Sequence, residues 1–123
     1  MTKILVAEDD LDIARLIQFQ LKFNGYEVTA VGDGAEAMKR ARRDQPDLML
    51  VDWMMPVMDG LQVITALKAD PELKRIPVIL MTARAQEHDV QAGLAAGATA
   101  YLVKPFQLEQ LVQAIQEALH EAS

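Results

Sequence analysis

Five short apolar runs recur along the chain at fairly even spacing: Ile4–Ala7 (ILVA), Tyr26–Val31 (YEVTAV), Leu48–Val51 (LMLV), Val78–Met81 (VILM) and Ala100–Val103 (AYLV). Most are continuous rather than alternating, the pattern of strands covered on both faces. Between them lie stretches of helical period. The clearest is the last, where Leu108, Leu111, Val112, Ile115 and Leu119 fall on one stripe. The first carries Ile13, Leu16, Ile17 and Leu21 and stops at Asn24-Gly25, a pair suited to a left-handed helix end. Weaker helical patterns cover roughly Asp33–Arg43, Gly60–Lys68 and Gln86–Ala96. Alternation of five strands with five helices predicts one α/β domain over residues 1–123, a parallel sheet with helices on both faces and right-handed crossovers.

Open sheets of this kind bind ligands outside the carboxyl ends of their strands, where the strand order reverses. The residues that follow each apolar run are therefore the first place to look for chemistry. The first run ends in Glu8, Asp9 and Asp10, the third in Asp52, the fourth in Thr82 and the fifth in Lys104-Pro105. The second ends in Gly32-Asp33, with nothing chemically distinctive. If the second strand is a sheet edge, the other four are neighbours, and acids, a hydroxyl and an amine line one rim. Singly, each residue has an ordinary structural role as helix cap, turn residue, solvated lysine or helix-starting proline. Four coordinated strand ends favour a site.

Several carboxylates close together repel and raise one another's pKa unless a cation joins them. Oxygen ligands with open positions suit a hard divalent ion such as Mg²⁺. A metal held beside Asp52 could recruit a phosphoryl group, with Thr82 and Lys104 binding its other oxygens. Asp52 is then the natural nucleophile, because aspartyl phosphate is an established covalent intermediate. Asp10 reads as lead-in to the first helix with Asp12 as its cap, so replacing Asp10 should be mild and replacing Asp9 should not.

Composition narrows the classes further. Hydrophobic residues make up 51% of the chain, yet no apolar run reaches the length of a membrane span. The N-terminus lacks the pattern of a signal peptide, and the absence of cysteine removes disulfides and thiolate metal sites, which fits a cytoplasmic protein. The net charge of −6 argues against direct nucleic-acid binding. The basic run Lys39–Arg43 (KRARR) sits where a helix should end and reads as a solvated terminus. Met54, Met55 and Met58 read as gap-fillers around the Asp52 loop, and His88 and His120 are assigned no role.

The segments ILVAEDD, LMLVDWMMPVMDG, VILMTA and AYLVKPF stand in an order and spacing that resembles the receiver domain of two-component response regulators, over essentially the whole chain. The resemblance implies the CheY-like, flavodoxin-like (βα)5 fold, doubly wound, with strand order 2-1-3-4-5. It implies that Asp52 accepts a phosphoryl group from a sensor histidine kinase or phosphotransfer protein. Glu8 and Asp9 would hold Mg²⁺ with Asp52 and the Met54 backbone carbonyl, Thr82 and Lys104 would contact phosphoryl oxygens, and the Lys104–Pro105 bond would be cis. Tyr101 matches a switch position that turns inward as Thr82 moves. The fourth helix, fifth strand and fifth helix would form the output surface toward a protein partner or effector domain.

Such a domain is a phosphoacceptor with slow autodephosphorylation, not a turnover enzyme. The fourth helix has only Val90 and Leu94 as large apolar anchors and is interrupted by Gly93, so it should shift easily. Members of the family that dimerise across this surface use basic residues on the fifth helix. Gln107–Ser123 holds no Lys or Arg, which points to a monomer or a weak phosphorylation-dependent dimer. Ala100 also departs from the acid common at that position. The tail HEAS leaves open a stand-alone regulator or the receiver of a longer one.

Three other readings fit less well. Haloacid-dehalogenase-type phosphatases carry a second Asp two residues after the nucleophile, where this chain has Met54. A flavodoxin-like flavin binder needs a hydroxyl- and Gly-rich loop after the first strand, where Glu8, Asp9 and Asp10 would repel the flavin phosphate. A degenerate, unphosphorylated receiver is disfavoured by the intact Asp52, Lys104, Thr82 and acid pair.

Overall fold

Each apolar run becomes a strand. The computed structural model describes residues 1–84 and 86–122. Its strands are β1 (Lys3–Ala7), β2 (Glu27–Val31), β3 (Leu48–Asp52), β4 (Val78–Thr82) and β5 (Ala100–Val103). They alternate with α1 (Leu11–Phe23), α2 (Gly34–Asp44), α3 (Gly60–Ala69), α4 (Glu87–Ala96) and α5 (Leu108–Ala122). Ser123, the last residue of the HEAS tail, lies outside the described residues. All four strand pairings are parallel and the order is β2-β1-β3-β4-β5, with β2 at an edge as expected.

The strands are continuous in apolar character because both faces are covered. Leu5, Ala7, Met49, Val51, Val78 and Leu80 pack with Ala37, Val63 and Leu67 of α2 and α3. The alternate residues Ile4, Val6, Leu48, Leu50, Ile79 and Met81 pack with Ile17, Leu21, Leu111 and Ile115 of α1 and α5. Each fully buried aliphatic side chain of this kind stabilises the fold by about 1.5–3 kcal/mol. The sheet is therefore a rigid floor, and the loops at its carboxyl edge are held by elements buried on both sides.

Helix starts follow the acids. Asp10, not Asp12, caps α1: its carboxylate accepts from the Asp12 and Ile13 N–H groups at 3.0 and 3.2 Å. Asp12 instead sits in the first turn, favourable to the helix dipole. Asp33 caps α2 by accepting from the Glu36 N–H at 2.8 Å, so the residue after the second strand has a definite task. Asp59 and Gln62 form a reciprocal capping box at α3. Gln86 gives α4 no side-chain cap.

Three expectations from hydrophobic period change. Tyr26 does not join β2, because its N–H closes the end of α1 on the Leu21 carbonyl at 3.1 Å, aided by Gly25 at φ +90°. Leu16 is 56% exposed, and the buried face of α1 is Ala14, Ile17 and Leu21. Leu94 is 44% exposed and anchors nothing; the buried residue of α4 is Gly93. A Cβ on Gly93 would approach Leu80 Cδ2 to 2.9 Å and the Tyr101 ring to 3.2 Å. Glycine here is what lets α4 sit down on the sheet.

The basic end of α2 is tied to acids, as a solvated helix terminus should be. Arg40 and Arg43 pair with Asp44, and Arg42 lies 3.9 Å from Asp70. Arg43 foremost, with Arg40, holds the Asp44 carboxyl below the usual carboxylate range. Met55 and Met58 do fill gaps against the core, but Met54 is 61% exposed and does not.

Replacing Gly93 with Ala gains about 1 kcal/mol of helix propensity but forces side chains apart at a cost of about 1–3 kcal/mol. Gly93→Ala is therefore expected to lower the free energy of urea unfolding by about 1 kcal/mol. A variant more stable than the parent would contradict this account of α4 packing.

Candidate functional site

Strand register assembles the rim. Ala7 of β1 lies opposite Val51 of β3, so the residues that follow, Glu8 and Asp9, emerge beside Asp52. Asp52 pairs with Met81, placing Thr82 one strand further on, and Thr82 pairs with Val103, after which comes Lys104. Backbone hydrogen bonds extend the sheet past the last strand residues. The Glu8 N–H donates to the Val31 carbonyl at 3.0 Å, the Trp53 N–H to Met81 at 2.9 Å and the Lys104 N–H to Thr82 at 2.8 Å. The site residues are thus fixed by main chain before any side-chain contact is made.

Glycine closes the floor of the site. The Gly60 N–H donates to the Trp53 carbonyl at 2.7 Å, and a Cβ at Gly60 would stand 2.7 Å from the Asp52 carbonyl oxygen. No other residue allows α3 to start this close to β3. In the same loop the β-branched, 76% exposed Val57 adopts φ +71°, a strained turn closed by the Met58 N–H on the Pro56 carbonyl at 2.9 Å.

Glu8, Asp52 and Thr82 are the buried polar side chains among the described residues. One carboxylate oxygen from each of Glu8, Asp9 and Asp52 can lie within 4.8 Å of the others. The Lys104 ammonium donates to Glu8 Oε1 and lies 3.0 Å from Asp52 Oδ1. The second Glu8 oxygen accepts from the Asp10 N–H at 3.2 Å. Burial pushes the Glu8 carboxyl above its ordinary range despite the lysine. Burial opposes the Lys104 charge too, but its hydrogen bonds to Glu8 and Asp52 outweigh this and hold it above the usual lysine value.

Three carboxylates face one ammonium, so the cluster keeps a surplus of negative charge. Its donors are all oxygens, partly buried and converging, which fits a hard divalent cation such as Mg²⁺. The carbonyl of Met54 receives no hydrogen bond among the described residues and stays available as a further oxygen donor.

Around the hydroxyl, Thr82 Oγ1 accepts from the Arg84 N–H at 3.1 Å, and the Tyr101 hydroxyl donates to the Arg84 carbonyl at 2.6 Å. The Tyr101 ring stands edge-on to Trp53, centroids 6.4 Å apart. Burial first, then the Asp89 charge, raises the Tyr101 hydroxyl above its ordinary pKa. The Lys104–Pro105 peptide is cis, as the resemblance implied. The structure thus brings Glu8, Asp9, Asp52, Thr82 and Lys104 to one rim, with Tyr101 one contact removed.

Arg84 escaped the sequence reading. Its guanidinium lies 4.7 Å over the Trp53 ring and 3.7 Å from Asp89, which His88 also approaches at 3.5 Å. The only available signal was a cation two residues beyond a strand-end threonine.

Comparison with known proteins agrees with this geometry. The family model for the response regulator receiver domain matches residues 4–116. The chain is 42% identical to the transcriptional regulatory protein PrrA of Mycobacterium tuberculosis, over 95% of this chain and 49% of that protein. It is 36% identical to the DNA-binding response regulator MtrA of Mycolicibacterium paratuberculosis, over 95% of this chain and 51% of that protein. Among solved structures, the receiver domain of sensor histidine kinase PA1611 from Pseudomonas aeruginosa, with a magnesium ion in its active-site cleft, superposes with a TM-score of 0.90. That likeness has 34% identity and covers 97% of this chain and 98% of that one.

The chain spans about half the length of the curated relatives it matches. This corrects the expectation of no nucleic-acid binding, since these relatives include a DNA-binding response regulator. The charge argument concerned repulsion at the surface of these 123 residues and says nothing of the half of those relatives that they do not match. Among the described residues, no helix is long and apolar enough to cross a membrane.

The roles of the adjacent acids separate cleanly by experiment. Asp10→Ala should lower unfolding free energy by about 1 kcal/mol through loss of the α1 cap and leave Mg²⁺ affinity, measured by calorimetry, unchanged. Asp9→Asn should do the reverse. A loss of Mg²⁺ affinity in Asp10→Ala, or none in Asp9→Asn, would count against the assignment.

Proposed function

The chain belongs to the response regulator receiver domain family of two-component signalling, and from that premise we propose that Asp52 is its phosphoryl acceptor. The observation that carries this reading is the Lys104 ammonium lying between Glu8 and Asp52, with the Thr82 hydroxyl on the adjoining strand end. A nucleophilic carboxylate, a fixed cation and a hydroxyl donor then surround the position where a transferring phosphoryl group places its charge. Glu8, Asp9, Asp52 and the Met54 carbonyl would hold Mg²⁺. When bound, the ion neutralises charge on the acids and on the incoming phosphoryl oxygens.

Transfer forms a bond from an Asp52 oxygen to phosphorus and breaks the bond from phosphorus to its donor. The leaving group departs without protonation by this chain, because Met54 stands where a general acid would be needed. Only donors with good leaving groups, such as phosphohistidine or acyl phosphates, should therefore react. Met54 also cannot act as a base to activate water, so the aspartyl phosphate hydrolyses slowly and the domain acts as a switch rather than a turnover enzyme.

The donor is a histidine kinase or phosphotransfer protein in the cytoplasm, docking on α1. That helix turns Leu16, Phe19 and Phe23 outward at 56%, 70% and 85% exposure. A groove of about 410 Å³ between Leu16 and Phe106 opens beside Lys104, next to the acceptor. On phosphorylation Thr82 engages a phosphoryl oxygen and Tyr101 turns inward, reshaping the α4–β5–α5 face for an effector segment or partner protein. The weak cap and single buried glycine of α4 support its mobility.

With acetyl phosphate and Mg²⁺, intact-mass analysis should show one added phosphoryl group on the parent chain and none on Asp52→Asn. Buried Trp53, next to Asp52, should report Mg²⁺ and then beryllofluoride by fluorescence. Lys104→Ala should keep the first response and lose the second. A parent chain that gains no phosphoryl mass would overturn the reading.

A further inference from the structure

Arg84 makes four connections, and they reach four different elements. Its N–H donates to Thr82 at the end of β4, and its carbonyl accepts from Tyr101 of β5. Its guanidinium stacks on Trp53, directly after β3, and faces Asp89 in the first turn of α4. Trp53 itself is 5% exposed, so the stacking surface is fixed.

The bond to Thr82 has a consequence for chemistry. A hydroxyl carries one proton and two lone pairs. When the Arg84 N–H occupies a lone pair, the proton of Thr82 is directed away from that N–H, toward either the Tyr101 hydroxyl or an oxygen arriving at Asp52. That orientation lasts only while the Arg84 backbone stays in place. Ala83 and Arg84 are exposed, and the α4 start has no side-chain cap, so neither burial nor capping holds this loop. What remains is the Tyr101 hydroxyl on the Arg84 carbonyl and the side chain, clamped between an aromatic face and a carboxylate.

We propose that Arg84 is a positioning residue for phosphoryl uptake: its side chain, held between Trp53 and Asp89, fixes the backbone N–H that orients the Thr82 hydroxyl toward Asp52. The proposal rests on Asp52 as acceptor. It requires no contact between Arg84 and the phosphoryl group, and it leaves the metal-binding acids untouched. A merely solvated surface arginine would change none of the rates below.

The test is a double-mutant cycle on the full chain, with acetyl phosphate and Mg²⁺ and the rate of phosphoryl gain followed by intact mass. Removing a direct donor costs about a hundredfold or more, so Arg84→Ala, acting through Thr82, should slow uptake by about tenfold. Calorimetric Mg²⁺ affinity should stay within about twofold of the parent, as for an independent site. The double variant Thr82→Ala/Arg84→Ala should react no more slowly than Thr82→Ala alone. Arg84→Lys, which keeps a cation over the ring, should recover most of the rate. An Arg84→Ala chain that reacts at the parent rate would overturn the proposal alone. So would a double variant in which the two losses multiply. A parent chain that takes up no phosphoryl group would overturn the acceptor reading and this proposal together.

Discussion

Everything at the carboxyl edge of the sheet depends on one ammonium group placed among three carboxylates. Glu8 is buried, and an unpaired charge there would cost several kcal/mol. Lys104 supplies the pairing from the end of β5, across the ends of β4 and β3, and lies 3.0 Å from Asp52 as well. One positive charge against three negative ones is enough to let the chain fold and too little to neutralise the cluster. The surplus is what a divalent cation would relieve. On the proposed function, stability sacrificed locally would become affinity for the ion and, through it, for a phosphoryl group.

The rest of the fold serves that placement. A parallel sheet buried on both faces sets strand ends at fixed spacing, and main-chain bonds from Glu8, Trp53 and Lys104 carry the register into the loops. Gly60 lets α3 begin against β3 without displacing Asp52. Rigidity is not uniform, however. α1, α2 and α3 are capped by acids, whereas α4 is uncapped and rests on the sheet through Gly93. The element best suited to move is therefore the one tied, through Asp89 and Arg84, to the rim where chemistry would occur.

Much of this was legible in the chain, because the signals were local. Continuous apolar runs marked the buried strands and the residues after them marked the rim, while the edge position of β2 came with the strand order that the resemblance implied. Where the reading failed, the deciding contact lay in space. Asp10 and Asp12 are equally good caps on paper, and only the direction of the Asp10 carboxylate decides between them. Leu94 has a plausible helical phase, but the close packing of Gly93 on Leu80 and Tyr101 turns it outward. Arg84 was invisible because its stacking on Trp53 joins two loops that no motif connects. The nucleic-acid expectation failed for another reason: net charge describes these 123 residues, whereas the relatives that overturn it are about twice as long.

The most direct test of the central claim is thermal unfolding with and without Mg²⁺. A cation that joins the three carboxylates binds only the folded chain. At about 100 times its dissociation constant it should stabilise by about 2.7 kcal/mol, raising Tm by roughly 10 °C. Melting curves that coincide in Mg²⁺ and in chelator would contradict the account, because the repulsion at the rim would then not be a site for the ion.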